Sequence, residues 1–235
     1  MPRSQKVLAC ATVMEEMLPL MPPDMPREVL DFGLHVNPAS LKAALQAAID
    51  ASTAEADVIV LGYGFCSMAV VGLQARGRTL VVPHVDDCIS IFLGSRDEYR
   101  RQTRAEPGTY YLTKGWIEVG DTPFSEYDRL VERYGATRAE RLIRLSIKHY
   151  TRLALIDTGR GDMSSYRDFT RALAHRWDLR FEEIQGSNQL VRKMLFGPWD
   201  DDFVVISPGE TIRLEHFLSS PAGASSASAS QPQAT

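Results

Sequence analysis

Residues 58–95 read VIVLGYGFCSMAVVGLQARGRTLVVPHVDDCISIFLGS, and their pattern decides the fold. Val58 to Leu61 is a short, continuous apolar run closed by Gly62 and Gly64, the signature of a strand buried on both faces, and Thr79 to Val82 repeats it. Each run passes through a turn into an expected helix start that carries a cysteine. Cys66 precedes a helix expected from about Ser67 to Ala75, and Cys88 follows Asp86 and Asp87, either of which can cap a helix through Leu93. The remaining cysteine, Cys10, ends the apolar run KVLAC. All three thiols are therefore expected just beyond strand C-termini, the edge of an open parallel sheet where ligands bind.

Outward from this stretch, strands and helices alternate. Lys6 to Thr12 reads as a first strand, Met14 to Met25 as a Met- and Pro-rich connection broken at Pro19, and Val29 to Leu34 as a second strand. Asn37 followed by Pro38 makes a helix start, and Leu41, Ala44, Leu45, Ala48 and Ile49 form one apolar stripe on a helix from Ala39 to Ser52. After residue 95 come a charged helix (Arg96 to Arg104), an extended segment (Gly108 to Thr113), and helices at Phe124 to Tyr134 and Thr137 to Tyr150. Thr137 and Glu140 have capping-box spacing. Strands at Arg152 to Ile156, Leu179 to Ile184 and Phe203 to Ile206 then alternate with helices at Ser164 to Trp177 and Gln189 to Phe196. The expectation is a doubly wound α/β fold with a mostly parallel sheet and Rossmann-like βα units. It spans residues 6–217, with lobes at 6–95 and 151–217 around a helical insert at 96–150 as one arrangement of it. Residues 1–5 are expected to be flexible and the Ala/Ser tail 218–235 disordered.

Composition excludes several classes. A net charge of -4 leaves no basic footprint for nucleic acid. No apolar run approaches the ~18 residues of a membrane span, and the N-terminus has no signal-peptide pattern, so the expected location is cytoplasmic. In that reducing compartment three cysteines are expected free, metal-bound or catalytic rather than paired.

The segments GYGFCSMAVVGL, HVDDCISIFLGS, GTYYLTKGWIE, DTGRGD and GSNQLVRKMLFGPWDDDFVVISPGE resemble an uncharacterised domain-of-unknown-function family of archaea and bacteria. The resemblance covers nearly the whole chain except the tail. It implies recurring motif cysteines at Cys10, Cys66 and Cys88 and an association with genes for corrinoid-dependent methyl transfer.

Three thiolates from separate strand ends can hold a [4Fe-4S] cluster with one iron open, or Zn with one open position. The layout looks like that of quinolinate synthase and the related isoprenoid reductase. Against it, a free cysteine often simply packs in the core, and there is no CxxC. His84 is a fourth-ligand or general-acid candidate, or a backbone-bonded strand-end histidine; Asp86 and Asp87 are helix caps or proton-transfer groups. Tyr63, between Gly62 and Gly64, is placed to present its hydroxyl at the same edge. In DTGRGD, Asp157 is a catalytic candidate, and Gly159 and Gly161 allow close backbone approach to a ligand, although the loop is no phosphate loop and serves equally as a plain turn. Ser187 at a helix start is an anion-binding candidate or a connecting turn. Tyr110, Tyr111 and Trp116 line a pocket or fill the core.

The leading expectation is a metal-dependent enzyme, with Cys10, Cys66 and Cys88 ligating a [4Fe-4S] cluster (alternatively Zn) and a small polar or anionic substrate. His84, Asp157 and Tyr63 are its catalytic candidates, and Gly62, Gly64, Gly159, Gly161 and Ser187 its ligand contacts. The alternatives are a non-catalytic accessory protein binding a metal, a corrinoid or a methyltransferase protein, and a metal-free small-molecule binding domain.

Overall fold

The computed structural model describes residues 4–52, 56–65, 68–159 and 161–218. Strand β1 (Gln5–Cys10) runs directly into helix α1 (Ala11–Met17), and β2 (Arg27–Leu30) follows. A 3-10 turn (Phe32–Val36) leads to α2 (Pro38–Ala51), then β3 (Val58–Gly62) and β4 (Thr79–Pro83). Asn37 caps α2 as its sequence suggests, its Oδ1 accepting from Ala39 N at 3.1 Å and Ser40 N at 3.2 Å. Leu41, Leu45, Ala48 and Ile49 of the apolar stripe are buried.

Next come α3 (Cys88–Leu93), α4 (Arg96–Ala105), β5 (Thr109–Thr113), α5 (Lys114–Val119), α6 (Tyr127–Tyr134) and α7 (Ala136–Ser146). The described chain ends with β6 (Arg152–Asp157), α8 (Ser164–Arg176), β7 (Arg180–Gln185), α9 (Gln189–Phe196), β8 (Phe203–Ile206) and α10 (Glu215–Leu218).

The elements form two sheets. The first has order β2-β1-β3-β4-β8, parallel except for the antiparallel edge strand β8, and the second has order β5-β6-β7, all parallel. This is the mixed α/β architecture with Rossmann-like βα units that the alternation of elements implies. From β1 the chain crosses to β2 on one side and returns to β3 on the other, so the strand order reverses between β1 and β3. In such sheets the ligand crevice opens at that reversal, beyond the strand carboxyl ends.

Strand β6 joins the two sheets into one core. Successive strand residues face opposite sides, and accordingly Ala154 and Ile156 pack with the first sheet's core while Leu153 and Leu155 pack with the cluster around Ile143, Met163 and Trp177. Between the sheets lies α1, whose Thr12, Val13, Met14, Glu16 and Met17 are buried. Glu16 accepts a 2.8 Å hydrogen bond from Thr158 Oγ1, just past β6. Gly115 of α5 lies so near α1 that a Cβ there would be 3.1 Å from Glu15 Cβ.

Several local expectations are corrected. No helix forms over 68–75: Leu73 N–H and C=O pair with Val70 and Ile212, and Gln74 bridges Thr211. The second strand ends at Leu30 because Asp31 accepts from Gly33 N at 2.7 Å and turns the chain into the 3-10 segment. Thr137 is not a cap, since α7 starts one residue earlier on Gly135. The extended segment expected at Gly108 to Thr113 is β5, which heads the second sheet, and the strand expected at Phe203 to Ile206 is β8, which returns to the first. Ser4 is tied to Asp57, with Oγ to Oδ2 at 3.2 Å, so order reaches into the expected flexible N-terminus. Residues 1–3 and the tail from 219 lie outside the described residues.

The tightest joint in the first sheet is at Gly62, paired in register with Ala9; a Cβ at Gly62 would sit 2.6 Å from Ala9 Cβ and 3.1 Å from Val13 Cγ1. Gly62→Ala is expected to destabilise the protein by about 1–3 kcal/mol through overpacking, read as a lower urea midpoint with an unchanged denaturant slope.

Candidate functional site

Cys10 is the last residue of β1 and the N-cap of the buried helix α1, and it is 2% exposed. Its Sγ lies 3.3 Å from Thr12 Oγ1, and on its other side it hydrogen-bonds the ring of His35. Burial pushes the thiol up. The hydrogen bonds from His35, Thr12 and the Val13 N–H, with the charge of His35, outweigh that and hold Cys10 below the ordinary thiol value.

His35 comes from the 3-10 turn and is oriented from both ends. Its Nδ1 is 2.9 Å from the Phe32 carbonyl, so Nδ1–H donates there and Nε2 is left for the sulfur. The hydrogen bond to Cys10 raises its pKa, burial lowers it, and the net direction is upward. Each partner therefore favours the charged form of the other. The ring is flanked by Phe32, at 5.1 Å between centroids, and stacked on Tyr63 at 5.9 Å. Tyr63 is 3% exposed and so reaches the Cys10 corner through His35.

The loop after β3 is pressed between the flanks of the other two cysteines. Gly62 abuts Ala9, beside Cys10, and a Cβ at Gly64 would lie 2.9 Å from Asp87 Cα, beside Cys88. Phe65 N donates to Val85 O at 2.9 Å. Cys66 itself lies outside the described residues. Cys88 opens α3 and is partly exposed. The cap of α3 is Asp87, whose Oδ1 accepts from Ile89 N at 2.9 Å and Ser90 N at 3.4 Å. Desolvation, the larger effect, raises the Asp87 pKa against the hydrogen bonds from Tyr99 and the cap N–H groups; burial and the Asp87 charge push the Tyr99 phenol well above its ordinary range.

The other predicted residues lie elsewhere. His84 is 8% exposed and its Nε2 sits 3.1 Å from the Phe217 carbonyl of α10 and 3.2 Å from Arg96 Nη1; one nitrogen cannot both donate to the first and accept from the second, so one of these contacts holds at a time. Arg96 also donates to Asp86 at 3.1 Å. The backbone-bonded alternative for His84 is the one its surroundings match. Asp157 ends β6 in the second sheet, where its carboxylate accepts from Gly159 N at 2.8 Å. Gly159 (φ 77) and Gly161 (φ 74) take left-handed backbone in open space, and Arg160 between them lies outside the described residues. Ser187 packs under α3: a Cβ at Gly94 would be 2.5 Å from Ser187 Cβ, and Ser187 Oγ accepts from Gln189 N at 3.2 Å. Among the described residues no three His, Cys, Asp or Glu side chains converge as a metal cluster, and no helix is long and apolar enough to cross a membrane.

The sequence reading missed His35. It lies one residue past the strand expected over Val29 to Leu34, and its pairing with Cys10, twenty-five residues earlier, is signalled by no local spacing.

A family model described as "Protein of unknown function (DUF1638)" matches residues 29–195, well over half of the chain. No curated protein and no solved structure matches it.

The charge pair can be titrated. His35→Phe is expected to raise the pH at which the Cys10 thiolate absorbance develops, measured as the difference from Cys10→Ser; an unchanged midpoint would show that His35 does not hold the thiolate. Asp87 gives a second test. Its folded pKa lies above the ordinary 3.8, so its contribution is full below that value and is lost as pH rises through the folded pKa. Relative to Asp87→Asn, the wild type is therefore expected to lose stability across that window in urea titrations at stepped pH.

Proposed function

We propose that this chain, which belongs to the DUF1638 family, is a metal-dependent enzyme whose centre lies beyond the carboxyl ends of β1, β3 and β4, with Cys10, Cys66 and Cys88 as ligands. The observation that carries the proposal is the buried Cys10 thiol, held toward thiolate at the strand-order reversal, with the loop leading to Cys66 pressed between Ala9 and Asp87. The donor chemistry fits. Thiolates suit iron–sulfur clusters and zinc, and His35, with its other nitrogen on a carbonyl, has the orientation usual for a ligating or ligand-supporting imidazole.

The group proposed is a [4Fe-4S] cluster with one open iron, with zinc as the alternative. When bound, it supplies a Lewis acid or an electron to a small polar substrate. The protein's own residues do the rest. His35 holds a proton against the Cys10 sulfur, Thr12 Oγ1 supplies a second polar contact 3.3 Å away, and Tyr63 and Phe32 shield the pair from water. Chemistry in one-carbon or methyl-transfer metabolism, with a corrinoid or methyltransferase protein as partner, belongs to the proposal through the family resemblance.

The Cys10–His35 contact favours one second reading, a metal-free nucleophilic thiolate with His35 as its proton acceptor. Anaerobic purification with iron, sulfide and zinc analysis separates the two. A cluster or one zinc per chain is expected, lost in each of Cys10→Ser, Cys66→Ser and Cys88→Ser. Full loading in all three variants would sink the ligand assignment, and metal-free protein whose Cys10 alkylates at low pH would establish the thiolate reading.

A further inference from the structure

On the far side of Trp116 from the thiol corner, a cavity of about 290 Å³ opens between α3, α4 and β5, a volume suited to a small ligand. Its walls are aromatic: Tyr99 from α4, Tyr110 and Tyr111 from β5, Trp116 from α5 and Tyr150 from the turn before β6. The rings stand at angles to one another, with Tyr99 and Tyr111 at 6.4 Å and 52°, and Tyr110 and Tyr150 at 5.2 Å and 82°. The floor carries the Asp87 carboxyl.

The charges around this cavity leave Asp87 as the carboxyl without a cation. Glu106, also on the wall, is tied to Arg180 and lies 3.8 Å from Arg152, while Arg152 is held 3.2 Å from Glu182. Asp86, on the other side of the chain, pairs with Arg96 at 3.1 Å and Arg100 at 3.9 Å. Among the described residues no basic side chain pairs with Asp87; it takes the two cap N–H groups and the Tyr99 hydroxyl. An uncharged Ser or Asn caps a helix as well as Asp does, so capping alone does not account for a desolvated carboxyl at this point. The Tyr111 hydroxyl hydrogen-bonds Thr109 and Arg152. Electron-rich rings around one uncompensated carboxyl match an organic ammonium, which draws on the negative ring faces and the carboxylate together.

We propose that this cavity binds a small organic cation, with the Asp87 carboxylate as its counter-ion and the rings of Tyr99, Tyr111 and Trp116 beside it. The site is independent of the metal reading and needs none of the cysteines.

The test is titration calorimetry on the full chain with choline, tetramethylammonium and ethylammonium, and with 3,3-dimethylbutan-1-ol as the uncharged isostere of choline. At least one cation is expected to bind, quenching Trp fluorescence, with the isostere ~10-fold or more weaker than choline. Asp87→Asn, which keeps the cap, is expected to lower cation affinity by about tenfold and leave the isostere unchanged. Tyr99→Leu is expected to weaken the cation as well. Equal affinity for choline and its isostere, or no binding by any of the three cations, overturns the proposal. Cys10→Ser is expected to retain cation binding, so failure here is distinct from failure of the metal reading.

Discussion

The close approach of β3 to β1 at Gly62 is the constraint on which the rest of the molecule depends. With no side chain at Gly62, β3 lies against Ala9 and Val13 at the point where the strand order reverses. That approach sets β3 against the start of α1, and α1 in turn carries Glu16 to Thr158 and packs Glu15 and Thr12 on Gly115. One missing methyl thus fixes both the register of the first sheet and the seat of the helix that joins it to the second. The crevice beyond the strand ends inherits its walls from the same joint, since Cys10 sits at one side of it and Tyr63 at the other.

Burying ionisable groups is costly unless each finds a partner, and this edge carries several. The solutions differ. Cys10 and His35 favour each other's charged forms, which opposes the burial that disfavours a charge on either. Arg152, 2% exposed, is offset by Glu182 and Glu106 and by hydrogen bonds to Thr109 Oγ1 at 2.7 Å and Gln102 Oε1 at 3.1 Å. Asp87 has hydrogen bonds and no cation. Ion pairing at two of these positions and its absence at the third separate what the fold needs from what is left for a ligand.

Much of the fold was legible along the chain because its signals are local. The apolar runs at 58–61, 79–82 and 152–156 are strands, Asn37 with Pro38 starts a helix, and Gln189–Phe196 and Phe203–Ile206 fall where the periodicity puts them. What failed was decided by distant partners. Residues 68–75 have helical composition, yet Gly72 takes φ 87 and the segment pairs with 210–212, whose contribution no window over 68–75 contains. The same holds for the site. The placement of Cys10 and Cys88 at strand ends was readable from hydrophobic runs and turns; His35 was not, because its meeting with Cys10 requires β2 to fold back beside β1 and the 3-10 turn to aim the ring. Nor does the sequence show what His84 meets, since Phe217, more than a hundred residues on, brings its carbonyl 3.1 Å from the ring Nε2.

The two candidate regions are neighbours for a structural reason. Trp116 packs edge-on to Phe32 at 5.9 Å and to Phe92 at 6.4 Å, so its indole closes the thiol corner on one side while lining the tyrosine cavity on the other. Phe32 in turn packs on His35, which makes a continuous chain of ring contacts from the imidazole to the cavity wall. Asp87 makes a second connection through the backbone: it floors the cavity, abuts Gly64 and immediately precedes Cys88. Trp116 and Asp87 are thus the residues that connect the tyrosine-lined cavity to the Cys10–His35 corner.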